Sequence, residues 1–398
     1  MGSATLSSFA PLQSISLFWK PLFFITALVK MKILCSNPLA DYLPYSTEIL
    51  TAITDVLASG SYILGNEVLS FEAEFKKYLG SQYAIGVANG TDALQLALRC
   101  CELQPSDEVI TVAHTASATV TAIIQAGGTP VFVDINPQTY TMDPDLLERA
   151  LTPRTKAVIP VHIYGHPADM PSIMAFAQDH DLTVIEDCAQ AHGACIAAKS
   201  VGTFGDFSCF SFYPTKNLAT LGDGGLVVTK TEEHDAHIRA LREYGWRNKF
   251  NSEEAGINSR LDELHAAILR VRLKHLDSQN SKRREIASLY QDGLSNSALT
   301  LPFADSLAYH VYHLFAVQTI KRDGLVQFLN DRGIFPGVHY PVPAHQQPAF
   351  AKYSPAARLP VTEELSKRIV SLPMYPTLGH DEVEIIISSI KEWFNVHP

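Results

Sequence analysis

Positive charge is in short supply in this sequence. Lysine and arginine total 31 against 41 aspartates and glutamates, for a formal net charge of -10 and a pI near 5.8. An acidic surface argues against a broad nucleic-acid interface, but not against an anionic small molecule, because the charge of a pocket is local. Cysteine is scarce too. Cys35, Cys100, Cys101, Cys188, Cys195 and Cys209 form no Cys-x-x-Cys pair and no paired histidine pattern. That disfavours a disulfide framework and a zinc site, so the expectation is reduced thiols in a cytoplasmic protein and no metal. No Gly-x-Gly-x-x-Gly follows the first predicted strand, which counts against a nicotinamide-dependent sugar oxidoreductase. Internal repeats and low-complexity tracts are missing. Long apolar runs are missing as well: the stretch from Ser16 to Val29 is interrupted by Lys20 and Pro21 and is too short and broken for a membrane helix. It has neither a basic start nor a small-residue cleavage site. Residues 1–30 are therefore expected to be a disordered or mis-assigned leader ahead of Met31, with a membrane anchor as the second reading.

What remains is an ordinary globular chain of 398 residues, 46% hydrophobic and 18% charged, long enough for a large domain and a smaller one. Helical spacing of apolar residues predicts helices over 46–58 and 67–78. A regular alternation then begins. Strands are predicted at 83–88, 108–113, 130–135, 157–163 and 182–187, with helices at 92–101, 116–125, 144–150 and 170–178 between them. Strands that read as near-continuous apolar runs between helices imply an α/β fold with a mainly parallel central sheet flanked by helices. In such sheets ligands gather at the carboxyl ends of the strands. A long helix from Leu261 to Leu276, running on toward Leu289, marks the exit from a large domain over 31–280. Residues 281–398 suit a small C-terminal α+β domain, with a strand at 313–318, helices at 324–331 and 381–394, and a proline-rich loop from Pro336 to Pro348.

The chemistry centres on Lys216, in Ser-Phe-Tyr-Pro-Thr-Lys-Asn-Leu (211–218), followed by Gly-Asp-Gly-Gly (222–225). A lysine held at a strand end beside a tight glycine turn is partly desolvated, which lowers its pKa and makes it a nucleophile. A surface lysine is the plain alternative. Asp187 ends another apolar strand, where a buried carboxylate must be paired or take up a proton. Its alternative is a loop cap. Asn89-Gly90-Thr91-Asp92 joins a strand to a helix whose first turn, capped by Thr or Asp, presents free N–H groups to an anion. Helix capping alone satisfies the tetrapeptide equally well. Lysine, carboxylate and anion cradle are together the three attachments of pyridoxal 5′-phosphate. Ser211 offers a hydroxyl to the phosphate, and Gln190 a donor to the phenolate oxygen. Tyr213 and Pro214 fix the turn that aims the lysine. Asn258 and Arg260 open the long helix, within reach of a phosphate in this subunit or a neighbour's. His339 and Tyr340, bracketed by prolines, offer hydrogen bonds to a sugar or form a structural loop. His162 and His192 read as core or loop histidines.

Taken in order, these segments resemble the DegT–DnrJ–StrS family of nucleotide-sugar aminotransferases, of the aspartate aminotransferase superfamily with the fold type I of pyridoxal-phosphate-dependent transferases. The resemblance rests on Asn-Gly-Thr-Asp-Ala-Leu (89–94), Glu-Asp-Cys-Ala-Gln-Ala-His-Gly-Ala (186–194), the lysine segment through Gly225, Gly-Ile-Asn-Ser-Arg-Leu-Asp-Glu-Leu (256–264) and His-Tyr-Pro-Val-Pro (339–343). It spans about Lys32 to the C-terminus. It implies that Lys216 carries pyridoxal 5′-phosphate covalently and shuttles the proton, and that Asp187 holds the ring nitrogen. It further implies that Gln190 contacts the phenolate oxygen, and that Gly90, Thr91 and Ser211 bind the phosphate. Asn258 would reach that phosphate from the partner of a homodimer with shared active sites. The implied reaction takes an amino group from L-glutamate to a nucleotide-linked keto-sugar, and Tyr213, where many relatives carry histidine, resembles members acting at carbon 3. Relatives often stack an aromatic residue on the cofactor ring. Here Ala116 falls at that place, which leaves the cover to His114 or to another group. Two other readings stand beside this one: a non-catalytic regulatory or binding member of the fold, and an amino-acid aminotransferase using Arg247, Arg260 or Arg332 as a carboxylate clamp.

Overall fold

A computed structural model describes residues 32–303, 306–353 and 357–397. The expected leader at 1–30 lies outside these residues. After a short strand at Ile33–Leu34 and a short helix at Pro38–Tyr42, the chain forms helices α1 (Ser46–Ser59) and α2 (Asn66–Leu79), each ended by a glycine in the left-handed conformation, Gly60 and Gly80. The alternating segment follows: β1 (Tyr83–Val87), α3 (Gly90–Arg99), β2 (Glu108–Val112), α4 (Ser117–Gln125), β3 (Thr129–Val133), β4 (Thr155–Ile159), α5 (Met170–Asp179), β5 (Thr183–Asp187), β6 (Phe207–Ser211) and β7 (Gly225–Thr229). The strands form one seven-stranded sheet in the order β1-β7-β6-β5-β4-β2-β3. The pairs from β6 through β3 are parallel, whereas β7 runs antiparallel to both β1 and β6. Every residue of β2 and of β7 is buried, as a sheet covered on both faces requires.

This topology brings the carboxyl ends of β1, β5 and β6 and the amino end of β7 to one edge. Asn89, Asp187, Ser211 and Gly225 therefore meet there, although they are far apart in sequence.

The predicted long helix is two helices, α6 (Glu263–Leu273) and α7 (Leu276–Leu294). The chain breaks at Lys274-His275 because its buried partners change. Ile268 and Val271 of α6 pack with Tyr42 and Ile49, whereas Ile286, Ala287, Tyr290 and Leu294 of α7 enter a separate C-terminal core. Residues 280 and 281 thus lie inside one continuous helix. That C-terminal core is built on an antiparallel pair, β8 (Phe315–Gln318) and β9 (Ile369–Leu372), and on α8 (Arg322–Asp331) and α9 (His380–Val396). Strand β9 was not foreseen, although Ile369-Val370-Ser371-Leu372 is an apolar run. Among the described residues no helix is long and apolar enough to cross a membrane.

Candidate active site

The anion cradle forms where α3 begins. Asn89 is extended and its Oδ1 accepts the Asp92 N–H at 2.8 Å. The cap is therefore Asn89, not Thr91 or Asp92 as the sequence suggested, because the helix starts at Gly90. The Asn89 carbonyl accepts the Ala93 N–H at 3.1 Å. Among the described residues this leaves the N–H groups of Gly90 and Thr91 unclaimed in the first turn, where the helix dipole favours negative charge. Two glycines make the approach possible. A Cβ on Gly90 would lie 2.7 Å from Ser211 Cβ, and one on Gly225 would lie 2.3 Å from the Asn89 carbonyl oxygen. Ser259 adds a tether, its Oγ accepting the Ala88 N–H at 3.0 Å.

Lys216 sits in a turn closed by its own N–H to the Tyr213 carbonyl at 2.8 Å. The next residue anchors the turn: the buried Asn217 amide donates to Asn280 Oδ1 at 2.9 Å and to the Val311 carbonyl at 3.0 Å. Burial pushes the Lys216 amine down to about 8, and the negative charge of Asp187 opposes the fall. Among the described residues its Nζ makes no hydrogen bond or ion pair. Asp187, at the end of β5, is only 6% exposed. Its Oδ2 accepts the Thr119 hydroxyl at 2.8 Å and its Oδ1 the Ala189 N–H at 3.2 Å. Burial raises the carboxyl above its usual range, with the Thr119 hydrogen bond the largest opposing effect.

Gln190 is fixed from both ends. Its Oε1 accepts the Tyr164 N–H at 2.6 Å and its Nε2 donates to the Tyr340 hydroxyl at 3.2 Å. The Tyr164 hydroxyl donates to the His339 carbonyl, so the His114 Nε2 only 2.6 Å away must donate to it. That agrees with a neutral His114, pushed down to about 4 by burial.

Lys216, Asp187, Gln190, Ser211, Gly90 and Thr91 all open onto one cavity of about 490 Å³, with the half-exposed Tyr213 also in its wall. Ala116 faces this cavity too. His114 is 1% exposed and stands behind the wall, so it does not take the aromatic's place. His339 and Tyr340 do not reach the cavity; His339 Nδ1 pairs with Ser371 Oγ at 2.9 Å and Tyr340 supports Gln190. Asn258 is exposed and lies outside this cavity. None of Arg247, Arg260 and Arg332 lines it; Arg247 pairs with Glu253 at 3.0 Å and Arg332 with Glu392 at 2.6 Å.

His162 and His192 are core histidines. His192 packs on Phe210 and Phe212. His162 lies 3.1 Å from Glu186, and with Cys188 their donor atoms fall within 4.8 Å of one another. Glu186, however, accepts the N–H groups of Gly202, Phe204 and Gly205 and the Ser208 hydroxyl besides. Its lone pairs hold a loop, and the cluster is a hydrogen-bond hub.

Comparison with known proteins agrees with this geometry. The model of the DegT/DnrJ/EryC1/StrS aminotransferase family matches residues 45–391. The UDP-N-acetyl-3-dehydro-alpha-D-glucosamine 3-aminotransferase of Acidithiobacillus ferrooxidans is 46% identical over 352 residues, 88% of this chain and 95% of the relative. The crystal structure of S. venezuelae DesV in complex with a ketimine intermediate superposes with a TM-score of 0.89 at 44% identity, covering 91% of this chain and 98% of that one. NtdA from Bacillus subtilis, with bound cofactor PMP, gives a TM-score of 0.84 at 32% identity, covering 89% and 82%. Fold and site together define an aminotransferase. The chain belongs to the DegT/DnrJ/EryC1/StrS aminotransferase family.

Proposed function

We propose that this enzyme uses pyridoxal 5′-phosphate to move an amino group from L-glutamate to carbon 3 of a nucleotide-linked keto-sugar, as a cytoplasmic homodimer with shared active sites. The observation that carries this reading is the opening of Lys216, Asp187 and the α3 N-terminus onto one cavity. The residues fit the cofactor: among the described residues two first-turn N–H groups and the Lys216 amine have no partner, and Gly90 and Gly225 keep the cradle clear. When bound, the cofactor supplies an aldehyde that condenses with amines and a ring that accepts electrons when its nitrogen is protonated.

The chain's own residues do the rest. Lys216 Nζ, substantially neutral near pH 8, is the nucleophile that holds the cofactor and, once freed, the base that moves the proton. Asp187 keeps lone pairs for the ring N–H beyond those given to Thr119 and Ala189. Gly90 and Thr91 N–H groups and the Ser211 hydroxyl receive the phosphate. Gln190 has a second Nε2 hydrogen, which would be available to the phenolate oxygen of the bound cofactor. Asn258 of the partner subunit completes the phosphate site.

Exposed apolar side chains near the lysine turn, Tyr213 at 51% and Leu221 at 52%, together with Phe250 at 77%, support a subunit interface there. Carbon 3 is supported by the named activity of the A. ferrooxidans relative and by Tyr213. Six unpaired cysteines support a reducing compartment. The test is a panel of nucleotide-linked 3-keto and 4-keto sugars offered with glutamate, reading 2-oxoglutarate. Release with 3-keto sugars alone is expected. Preference for a 4-keto sugar would move the site of amination, and no release with any sugar would overturn the reading.

A further inference from the structure

Asp187 does not stand alone at the end of β5. Thr119, fully buried in the first turn of α4, gives its hydroxyl to Asp187 Oδ2 at 2.8 Å. Thr115, four residues earlier and just ahead of the helix, lies with its Oγ1 2.8 Å from Thr119 Oγ1. A threonine hydroxyl has one hydrogen. If Asp187 is ionised it can only accept, so the Thr119 hydrogen is committed to it and Thr115 must donate to Thr119. The direction of this two-hydroxyl chain is therefore set by the charge on Asp187. Thr115 is itself 2% exposed and lies in the cavity wall. A threonine in a helix often returns its hydroxyl to a carbonyl of the preceding turn. Here it is spent on a carboxylate at the end of strand β5, 68 residues away.

We propose that Thr119 is a positioning residue for the reaction: its hydroxyl, oriented by Thr115, keeps Asp187 ionised and its carboxylate plane fixed for the ring nitrogen of the cofactor. This rests on the cofactor reading above. Without the hydroxyl, the buried carboxylate loses a charge-assisted hydrogen bond and becomes the better base. The proton then relocates from the ring nitrogen to Asp187, and the ring is a weaker electron acceptor although every group that touches the cofactor is intact. The lowering of the Asp187 pKa by Thr119 runs the same way.

The experiment reconstitutes full-length apoprotein with pyridoxal 5′-phosphate labelled with ¹⁵N in the ring and follows the nitrogen resonance from pH 6 to 9. Wild type is expected at the pyridinium position throughout. Thr119→Val, which keeps the shape and removes the hydroxyl, should move the resonance toward neutral pyridine and weaken cofactor affinity roughly tenfold, the loss of one such bond. Thr119→Ser should restore both. Thr115→Val should shift the resonance the same way by a smaller amount, and it carries the test should the Thr119→Val chain fail to fold. A resonance unmoved in the valine variant that folds would overturn the proposal. Failure of wild type itself to bind the labelled cofactor would instead sink the functional reading.

Discussion

At the scale of single residues, the environment of Lys216 makes a pH prediction. Burial disfavours the charged amine, so the neutral form gains, and with the amine near 8 about a tenth is neutral at pH 7. An ordinary lysine would offer roughly one part in three thousand. The rate at which apoprotein captures pyridoxal 5′-phosphate should climb about tenfold per pH unit up to pH 8 and then level. A stopped-flow profile still climbing beyond pH 9 would refute a depressed lysine. Lys216→Ala should leave a folded protein with no covalently held cofactor and turnover lower by at least about 10³-fold. Asp187→Asn should keep the cofactor covalently bound but slow the proton transfer severely, because a neutral amide lacks the negative charge that holds the ring nitrogen protonated; an unaffected single-turnover rate would remove Asp187 from the chemistry. Both residues were legible in the sequence because each ends or follows an apolar strand, where burial makes a charge conspicuous. Thr119 was not. It sits inside a helix with nothing to mark it, and only the fold, which sets the start of α4 beside the end of β5, brings its hydroxyl to Asp187. His339 and Tyr340 were conspicuous between prolines, yet their side chains serve Ser371 and Gln190.

At the scale of elements, the glycine cluster after Lys216 shows what sequence conveys and what it leaves out. Gly-Asp-Gly-Gly announces a turn, but not which glycine is indispensable or to what. The fold answers: Gly225 opens β7 directly against the start of α3, with the Asn89 carbonyl where its Cβ would be. Backbone cannot swing aside as a flexible side chain can. Gly225→Ala should therefore push β7 and the α3 N-terminus apart, costing on the order of 1–3 kcal/mol of stability and opening the phosphate cradle. Denaturant titration and the dissociation constant for pyridoxal 5′-phosphate read the two effects; a tenfold or greater loss of affinity is expected, and full affinity would show that the cradle does not depend on this contact. The strand–helix alternation was readable for the same reason the sheet is covered on both faces: apolar runs and amphipathic helices alternate without ambiguity. The break between α6 and α7 was unreadable, because apolar spacing continues through Lys274-His275 while the partner core changes. The antiparallel sense of β7 was likewise hidden, since a buried strand has the same composition in either direction.

At the scale of the whole molecule, Asn258 separates two architectures. In the described chain it is exposed and outside the cavity, so a role at the phosphate requires a second copy. If the sites are shared, a two-fold dimer places Lys216 of one protomer with Asn258 of the other. Asn258→Asp sets a negative charge against the phosphate and should abolish cofactor retention, and Lys216→Ala is inactive for its own reason. Each alone gives a dead dimer. Unfolded together and refolded as an equal mixture, half of the dimers are mixed. In each mixed dimer one site inherits both lesions and the other inherits neither. Activity should then return to about a quarter of wild type, with the refolded species eluting as a dimer in size-exclusion chromatography with light scattering. Sites confined to one protomer, from which Asn258 lies apart, would instead leave Asn258→Asp active by itself and the refolded mixture at about half of wild type. Recovery also requires that the apolar side chains Tyr213, Leu221 and Phe250 find cover. Replacing Phe250 with aspartate should weaken the dimer and lower activity in step with dissociation on dilution. A monomer as active as the dimer would mean that the cavity is complete within one chain.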